Sequence, residues 1–340
     1  MLVILNAKAT DEEVKEVTSR LEAWGYKIHI SKGVEKLVIG GVGVPEVNEL
    51  ECADILRSLP FVEDVLIIVK PYHLVAREFR PQGSVIKVDD VEIGGERIVL
   101  MAGPCSVESY EQVYETAKAV KQAGVRILRG GAYKPSTSPY SFQGLGEEGL
   151  EILSRVKKEL GLLVVTEVMD PRDVELVSEH ADILQIGTRN MHNFRLLSEV
   201  GKSGKPVVLK RGFGATIEEW LLAAEYIAKE GNLNIILCER GIRTFEPSTR
   251  FTLDINAIPS VKDLSHLPVI ADPSHGTGKA KLVPAVSKAA IAAGADGLLI
   301  EVHPHPEQAL KDGPQSLRIE NFLSLVEELR AVAQAVGRSL

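Results

Sequence analysis

The sequence predicts two folded parts: a (β/α)8 barrel of the TIM type, and in front of it a small α+β domain with the ferredoxin-like βαββαβ order. From about residue 98 onwards, short apolar runs of strand length alternate with stretches of helical spacing. Such alternation over roughly 250 residues is typical of a closed parallel barrel. The first 70 residues follow a different order. We therefore expect a ferredoxin-like domain at 1–70, a linker at 71–83, and the barrel with an N-terminal β-hairpin at 84–340.

The first 70 residues contain strands and helices in the order of the ferredoxin-like fold. Thr10 is suited to cap a helix because Glu13 follows three positions later, and apolar residues then repeat at helical spacing. A second helix is expected at 46–59, and strands are expected at 2–5, 26–30, 36–39 and 65–69. Two interpretations stay open for this domain, a scaffold or dimerisation module and a ligand-sensing regulatory domain.

The barrel region supplies eight strand–helix units with short connections. Strands are expected at 98–102, 125–129, 162–167, 183–186, 206–210, 234–238, 269–271 and 297–300. Helices are expected at 110–123, 147–160, 171–179, 193–200, 217–230, 283–293 and 319–336, with a poorly defined one around 252–264. A hairpin at 84–89 and 92–98 comes first. An open doubly wound sheet is the alternative, but eight equal units favour closure.

Composition and charge exclude several classes of protein. The formal net charge of the 340-residue chain is −8, which disfavours non-specific binding to nucleic acid. The three cysteines, Cys52, Cys105 and Cys238, are few and far apart, so we expect no disulfide framework and a reducing compartment. The N-terminus lacks signal-peptide features, and no run of about eighteen apolar residues occurs. A cytoplasmic protein without nucleic-acid or membrane partners is expected.

Basic residues stand at or just beyond the ends of several predicted barrel strands. They are Arg129, Lys134, Arg189, Lys210 and Arg240. Because a barrel builds its site at the C-terminal ends of its strands, these side chains are expected to converge on one rim. Each alone would be interpreted as a solvated surface charge, but together they would repel one another without a multiply charged anion. Phosphate and carboxylate are the groups that such a cluster binds.

A second group of polar residues follows predicted strands one, seven and eight, which are neighbours in a closed barrel. Its members are Cys105, His275, Glu301 and Asp312. Thiolate, imidazole and carboxylates together suit a borderline divalent metal ion. A nucleophilic Cys105 paired with His275 is the alternative, but it leaves the two carboxylates unexplained. Cys105 alone would most often be an inert core residue.

Ordered motifs along the barrel carry a family resemblance. They are GPCS at 103–106, KPST at 134–137, IGTRN at 186–190, LKRG at 209–212, DPSHG at 272–276, and EVHP with DG at 301–304 and 312–313. The chain resembles 3-deoxy-D-arabino-heptulosonate 7-phosphate (DAHP) synthase, of the type with a short N-terminal ferredoxin-like domain. The resemblance implies a transferase that condenses phosphoenolpyruvate with erythrose 4-phosphate and water, giving DAHP and phosphate. This is the first step of the shikimate pathway, which leads to the aromatic amino acids.

The resemblance also implies roles for individual residues. Phosphoenolpyruvate would be held by Arg129, Lys134, Arg189, Lys210 and Arg240, and erythrose 4-phosphate by Ser136 and Thr137. One divalent ion per subunit (Mn²⁺, Fe²⁺, Co²⁺, Zn²⁺ or similar) would be bound by Cys105, His275, Glu301 and Asp312. Lys134, Glu167 and His275 would be catalytic. Lys134, crowded by other cations, is expected to have a lowered pKa and to act as a general acid.

Further expectations follow from the same resemblance. Some family members have KPRT where this chain has KPST, so Ser136 replaces an arginine and another residue is expected to supply its charge. Similar proteins form tetramers and are inhibited by tyrosine or phenylalanine through the N-terminal domain, so both properties are expected here.

Two alternative functions stay open. One is 3-deoxy-manno-octulosonate 8-phosphate synthase, which shares the barrel but carries KANRSS after strand two and usually lacks the N-terminal domain. The other is a non-catalytic anion-binding barrel, against which the four intact candidate metal ligands argue.

Overall fold

The computed structural model describes residues 1–6, 8–33, 36–43, 49–67, 71–136 and 138–340. They divide into two units, one made of Met1–Gly83 with Asp263–His266, and the other made of Ser84–Lys262 with Leu267–Leu340. Within this described part of the chain, no helix is both long enough and apolar enough to span a membrane.

The first unit has the predicted ferredoxin-like order. Its elements are β1 (Leu2–Asn6), α1 (Asp11–Ala23), β2 (Lys27–Lys32), β3 (Lys36–Val42), α2 (Glu49–Arg57) and β4 (Val62–Leu66). The strands form one sheet in the order β2-β3-β1-β4, and its paired strands are antiparallel. The expected capping box is present, since Thr10 Oγ1 accepts from the Glu13 N–H and Glu13 Oε2 accepts from the Thr10 N–H.

The last strand of this unit was predicted too late in the sequence. It begins at Val62, which pairs with Leu5, whereas the prediction began it at Val65. The exposed acidic residues Glu63 and Asp64 interrupt the apolar pattern and hide the start of the strand. Its predicted end at Val69 lies outside the described residues.

The second unit is a closed parallel barrel of eight strands. They are β7 (Val99–Gly103), β8 (Ile127–Arg129), β9 (Leu163–Glu167), β10 (Ile183–Ile186), β11 (Val207–Lys210), β12 (Ile235–Glu239), β13 (Val269–Ala271) and β14 (Gly297–Glu301). Every residue of these strands is buried, as expected for parallel strands covered by helices. The prediction of a closed barrel is confirmed, and β14 pairs directly with β7.

Helices follow the barrel strands. They are α3 (Tyr110–Gln122), α4 (Glu147–Leu160), α5 (Val174–His180), α6 (Phe194–Lys202), α7 (Ile217–Ala228), α8 (Ala257–Leu264), α9 (Pro273–Thr277), α10 (Val283–Ala292) and α11 (Ile319–Ala335). The poorly defined helix of the prediction is α8, which is short. In front of the barrel, β5 (Ile86–Val88) and β6 (Val91–Ile93) form the expected hairpin. Their buried side chains share one cluster with the barrel interior.

His266, in the first unit, is a buried neutral imidazole. Its Nε2–H donates to the carbonyl oxygen of Leu74 at 2.7 Å, and its ring lies 5.9 Å from the ring of Phe79. Burial lowers the pKa of His266 from 6.5 to about 4. The unfolded chain therefore takes up a proton at this site in a pH range where the folded chain does not.

We predict that the lowered pKa of His266 makes the free energy of unfolding decrease as the pH falls. The neutral His266 contributes fully to the free energy of unfolding above pH 6.5, and this contribution is lost as the pH falls toward 4. About 2 kcal/mol of stability should therefore be lost between pH 7.5 and pH 5. The measurement compares urea midpoints of the wild type and His266→Gln at both pH values, because glutamine keeps an N–H donor and does not titrate. The wild type should lose more stability than the variant. Equal losses would show that His266 is not the titrating group.

Candidate active site

A polar cavity of about 280 Å³ opens at the C-terminal ends of the barrel strands. Its walls include many of the residues that the sequence singled out, namely Lys134, Ser136, Glu167, Arg189, Lys210, Arg240, His275 and Asp312. Each of them lies at or beyond the end of a barrel strand, so the barrel brings residues distant in sequence to one place. Thr137, the other residue expected to hold a sugar phosphate, lies outside the described residues.

The four candidate metal ligands meet at one side of this mouth. The ligand atoms of Cys105, His275, Glu301 and Asp312 all lie within 4.8 Å of one another. This follows from the strand order, because Glu301 at the end of β14 stands opposite Gly103 at the end of β7. Cys105 Sγ lies 3.3 Å from Asp312 Oδ2, and His275 Nε2 lies 3.4 Å from Glu301 Oε1.

The backbone before Cys105 requires glycine. Gly103 has a φ of +154°, and a Cβ atom there would lie 2.1 Å from the carbonyl oxygen of Arg129. The next carbonyl, that of Pro104, accepts a hydrogen bond from Arg129 Nη1 at 2.9 Å. The Gly-Pro sequence thus ends β7 tightly against β8, and the buried Cys105 side chain joins the cluster.

A second layer of side chains orients the four candidate ligands. Asp272 accepts from His275 Nδ1 at 2.7 Å, and Glu301 accepts from Arg129 at 2.9 Å and from Gln315 at 2.6 Å. Sequence reasoning missed Asp272 and Gln315 in this role. Asp272 was visible inside the DPSHG motif, whereas Gln315 lies in a loop with no periodic pattern that could have indicated it.

The protonation states suit a metal ion. Burial lowers the pKa of His275 to about 4, so the imidazole is neutral. Burial alone would raise the pKa of Asp272, but His275 and Lys210 lower it well below its ordinary value. The ionised Asp272 therefore accepts the Nδ1 proton and leaves the lone pair of His275 Nε2 directed at the cluster. Burial and Glu301 raise the pKa of the Cys105 thiol, so metal binding at this site would displace its proton.

The donor set fits a divalent metal ion. One sulfur, one imidazole nitrogen and two carboxylates form the mixed soft and hard set that Mn²⁺, Fe²⁺, Co²⁺ and Zn²⁺ accept. Both carboxyl groups are ionised: burial opposes this, but nearby cations and His275 lower the pKa of Glu301 and bring that of Asp312 to about 2. Each also keeps a hydrogen-bond partner outside the cluster, Gln315 for Glu301 and Arg250 for Asp312.

The cationic part of the cavity contains charges that few protein groups neutralise. Arg240 is buried and its Nε has no hydrogen-bond partner among the described residues. Its guanidinium carbon lies 4.2 Å from the ring centroid of Phe251 and 5.1 Å from that of Phe213. Burial lowers the pKa of Arg240 to about 10, because the environment stabilises its charge poorly. Such a side chain is suited to receive an anion.

Two of the predicted cations have surroundings that the sequence did not indicate. Arg129 is not among the residues that line the cavity, and its Nη1 pairs with Glu301 at 2.9 Å. The expected lowering of the Lys134 pKa is wrong. Burial does lower it, but Cys105, Glu301 and Glu167 outweigh burial and the neighbouring Arg129, so the pKa lies above its ordinary value. The prediction from the sequence included only the neighbouring cations, whereas the fold also places acidic groups beside the Lys134 ammonium.

Glu167, at the end of β9, is a buried residue that lines the cavity. Its Oε2 accepts from Gln185 Nε2 at 3.3 Å, and its Oε1 has no partner among the described residues. A Cβ atom on Gly187 would lie 1.9 Å from this Oε1. Glycine at 187 therefore leaves the space that the carboxylate occupies.

Further residues line the cavity that sequence reasoning did not select. They are chiefly Arg250, Lys311 and Phe213. All three lie in loops that follow barrel strands, Phe213 after β11, Arg250 after β12 and Lys311 after β14. Lys311 directly precedes Asp312, which was predicted from the loop after the last barrel strand, so its place beside Asp312 is the signal that could have indicated it.

Comparison with known proteins agrees with this geometry. A sequence model described as "DAHP synthetase I family" matches residues 79–335, and one described as "DAHP synthase ferredoxin-like domain" matches residues 1–70. This chain belongs to the DAHP synthetase I family. It is 53% identical over 337 residues to phospho-2-dehydro-3-deoxyheptonate aldolase of Thermotoga maritima, with 99% of each chain covered.

This chain is also similar to other curated and solved proteins. It is 34% identical over 266 residues to 2-dehydro-3-deoxyphosphooctonate aldolase of Francisella tularensis subsp. holarctica, and the match covers 72% of this chain and 96% of that protein. The crystal structure of DAHP synthase from Thermotoga maritima matches with a TM-score of 0.79, covering 99% of this chain and 98% of that one. A truncated form of the Thermotoga enzyme matches with a TM-score of 0.73 and covers 78% of this chain and 98% of that one.

The space at Gly187 generates a prediction. Gly187→Ala should displace the Glu167 carboxylate and lower kcat for DAHP formation at least about tenfold, because the cavity then loses the geometry of the carboxylate predicted to be catalytic. The overall fold should survive, since the residue has ordinary backbone angles. The matched control is Gly214→Ala, because a Cβ atom there meets nothing within 4 Å. A Gly187→Ala enzyme with unchanged kcat would show that the position of Glu167 is not important.

Proposed function

We propose that the cavity at the barrel mouth is the active site of a DAHP synthase. The observation that carries this proposal is that one cavity contains several cationic side chains next to a cluster of four candidate metal ligands. The family match and the ferredoxin-like domain at 1–70 support it. The reaction joins C3 of phosphoenolpyruvate to the aldehyde carbon of erythrose 4-phosphate. Water adds at C2, and phosphate leaves by C–O cleavage.

The buried cations would bind phosphoenolpyruvate, whose phosphate and carboxylate carry several negative charges. Lys134, Lys210 and Arg240 are buried and Arg189 lies beside Phe213, so all four can face the same ligand on the cavity wall. Arg129 is also buried and pairs with Glu301, and we propose that it adds its charge to this group. Removing such an anion from water is offset only when several charge-assisted hydrogen bonds replace its hydration.

The metal ion would be held by Cys105, His275, Glu301 and Asp312. When bound, a divalent ion supplies Lewis acidity that polarises a carbonyl or activates a water molecule. His275 contributes through Nε2 while Asp272 fixes its ring, and this is the catalytic role we propose for it. The chemistry of the donor set supports any of Mn²⁺, Fe²⁺, Co²⁺ and Zn²⁺.

Proton transfer would be carried out by Lys134 and Glu167. Lys134 lies on the cavity wall, and its raised pKa keeps it protonated, so it can donate a proton to the alkoxide formed from the aldehyde. Glu167 lines the cavity and its Oε1 has no hydrogen-bond partner among the described residues, so we propose that it orients the water that attacks C2 and accepts its proton. The second substrate would bind with Ser136 and Thr137 near its phosphate.

The N-terminal unit would regulate the enzyme by binding tyrosine or phenylalanine. The match of residues 1–70 to the ferredoxin-like domain of DAHP synthases supports this. Deleting residues 1–70 should preserve activity and abolish inhibition, and the solved truncated relative makes such a chain practical. A truncated enzyme that stays equally sensitive would disprove it. We also propose a homotetramer located in the cytoplasm, and light scattering of the purified protein tests the tetramer.

The main alternative is 3-deoxy-manno-octulosonate 8-phosphate synthase, which takes arabinose 5-phosphate. The 34% identity over the barrel is the observation in its favour. The KPST sequence after β8 and the domain at 1–70 argue for erythrose 4-phosphate instead.

A phosphate-release assay distinguishes these functions. The enzyme, phosphoenolpyruvate and Mn²⁺ should release phosphate with erythrose 4-phosphate and much less with arabinose 5-phosphate. The product is identified as DAHP by its mass. Preference for arabinose 5-phosphate would establish the alternative, and no release with either sugar would exclude both enzymes.

The role of Lys134 is tested separately. Lys134→Ala should lower the single-turnover rate by about 10²-fold or more, the usual loss for a general acid. Lys288→Ala, which removes a partly exposed lysine paired with Glu328, is the matched control and should change nothing. If Lys134→Ala weakens substrate binding but leaves the single-turnover rate intact, Lys134 is only a binding residue.

A further inference from the structure

Lys311 and Ser136 meet at the wall of the cavity, although they come from different loops. Lys311 lies in the loop after β14, and Ser136 lies in the loop after β8. Lys311 Nζ donates to Ser136 Oγ at 2.6 Å, and Ser136 Oγ donates in turn to the carbonyl oxygen of Phe142 at 3.1 Å. The serine therefore fixes the position of the ammonium group without neutralising it.

The charge of Lys311 has no acidic partner. Among the described residues, Ser136 is its hydrogen-bond partner and no carboxylate lies within ion-pair distance of its Nζ. Other cations of the cavity differ, since Lys210 pairs with Asp272 at 2.5 Å and Arg250 pairs with Asp312 at 3.1 Å. An ammonium has three N–H groups, and the bond to Ser136 uses one. The remaining donors are available to an anion in the cavity.

Lys311 also lies at a different depth from the main cationic group. Lys134, Lys210 and Arg240 are buried, whereas Lys311 and Ser136 are half-buried. The cavity therefore has a deep cationic position and a shallower one. Two phosphorylated substrates must bind together in the proposed reaction, and the two positions provide one site for each.

The neighbours of Lys311 indicate which substrate it serves. It directly precedes Asp312, one of the candidate metal ligands, so it stands next to the part of the cavity where an aldehyde would be activated. The deep cations already account for phosphoenolpyruvate. We infer that Lys311 binds the phosphate of erythrose 4-phosphate and supplies the positive charge that Ser136 itself cannot provide. This inference rests on the proposed function.

The test is steady-state kinetics of Lys311→Met, which keeps the length of the side chain and removes its charge. The KM for erythrose 4-phosphate should rise about 10- to 100-fold, the usual effect of losing a charged hydrogen bond. The KM for phosphoenolpyruvate should stay within about twofold of wild type. With unphosphorylated erythrose, the wild type and the variant should have the same kcat/KM, because there is no phosphate to bind. Lys202→Met, which removes an exposed lysine paired with Glu199, is the control.

A charge exchange adds a second readout. In the double variant Ser136→Arg, Lys311→Ser, the positive charge comes from residue 136 instead of residue 311. The KM for erythrose 4-phosphate should therefore return most of the way to the wild-type value. A double variant as poor as Lys311→Met would overturn the inference. So would an unchanged KM for erythrose 4-phosphate in Lys311→Met, or an equal loss with erythrose. A wild-type enzyme inactive with both phosphorylated substrates would instead refute the proposed function.

Discussion

The carboxylate of Asp272 connects the two halves of the site, and the rest of the arrangement depends on it. Its Oδ2 accepts from Lys210 Nζ at 2.5 Å and from His275 Nδ1 at 2.7 Å, and its Oδ1 accepts from the His275 backbone N–H at 2.9 Å. One buried anion thus fixes a cation of the cavity and the tautomer of a candidate metal ligand. The close spacing of the anion pocket and the metal cluster follows from this shared partner.

The balance of buried charge explains why the cavity is suited to anions. Arg129 with Glu301 and Lys210 with Asp272 are buried pairs in which each partner offsets the desolvation of the other. Within the described part of the chain, Arg240 and Lys311 have no such carboxylate within ion-pair distance, so their charge remains available to the cavity. A protein with an overall charge of −8 thereby presents a local surplus of positive charge at the cavity proposed to bind its substrates.

The barrel and most of the candidate site could be predicted from the sequence because their signals are local. Apolar runs define the strands, and the residue after each run must lie at the mouth, which places Cys105 beside Glu301 without any structural information. The residues of the site that the sequence did not predict depend on contacts between distant loops. Lys311, Arg250 and Gln315 have no periodic pattern, and only the fold brings them to the cavity. The predicted lowering of the Lys134 pKa was wrong for the same reason, since the acidic neighbours of Lys134 come from other strands. The start of β4 was missed because two exposed acidic residues interrupt its pattern.

The proposed metal site at the barrel mouth is completed by Cys105. It is tested most directly by measuring bound Mn²⁺ after removal of metals with a chelator and equilibrium dialysis against Mn²⁺. The wild type and Cys52→Ser, which alters a cysteine of the first unit, should each bind one ion per chain. Cys105→Ser should bind at least about tenfold more weakly while keeping the circular dichroism spectrum of the wild type. Wild-type affinity for Mn²⁺ in Cys105→Ser would contradict the account.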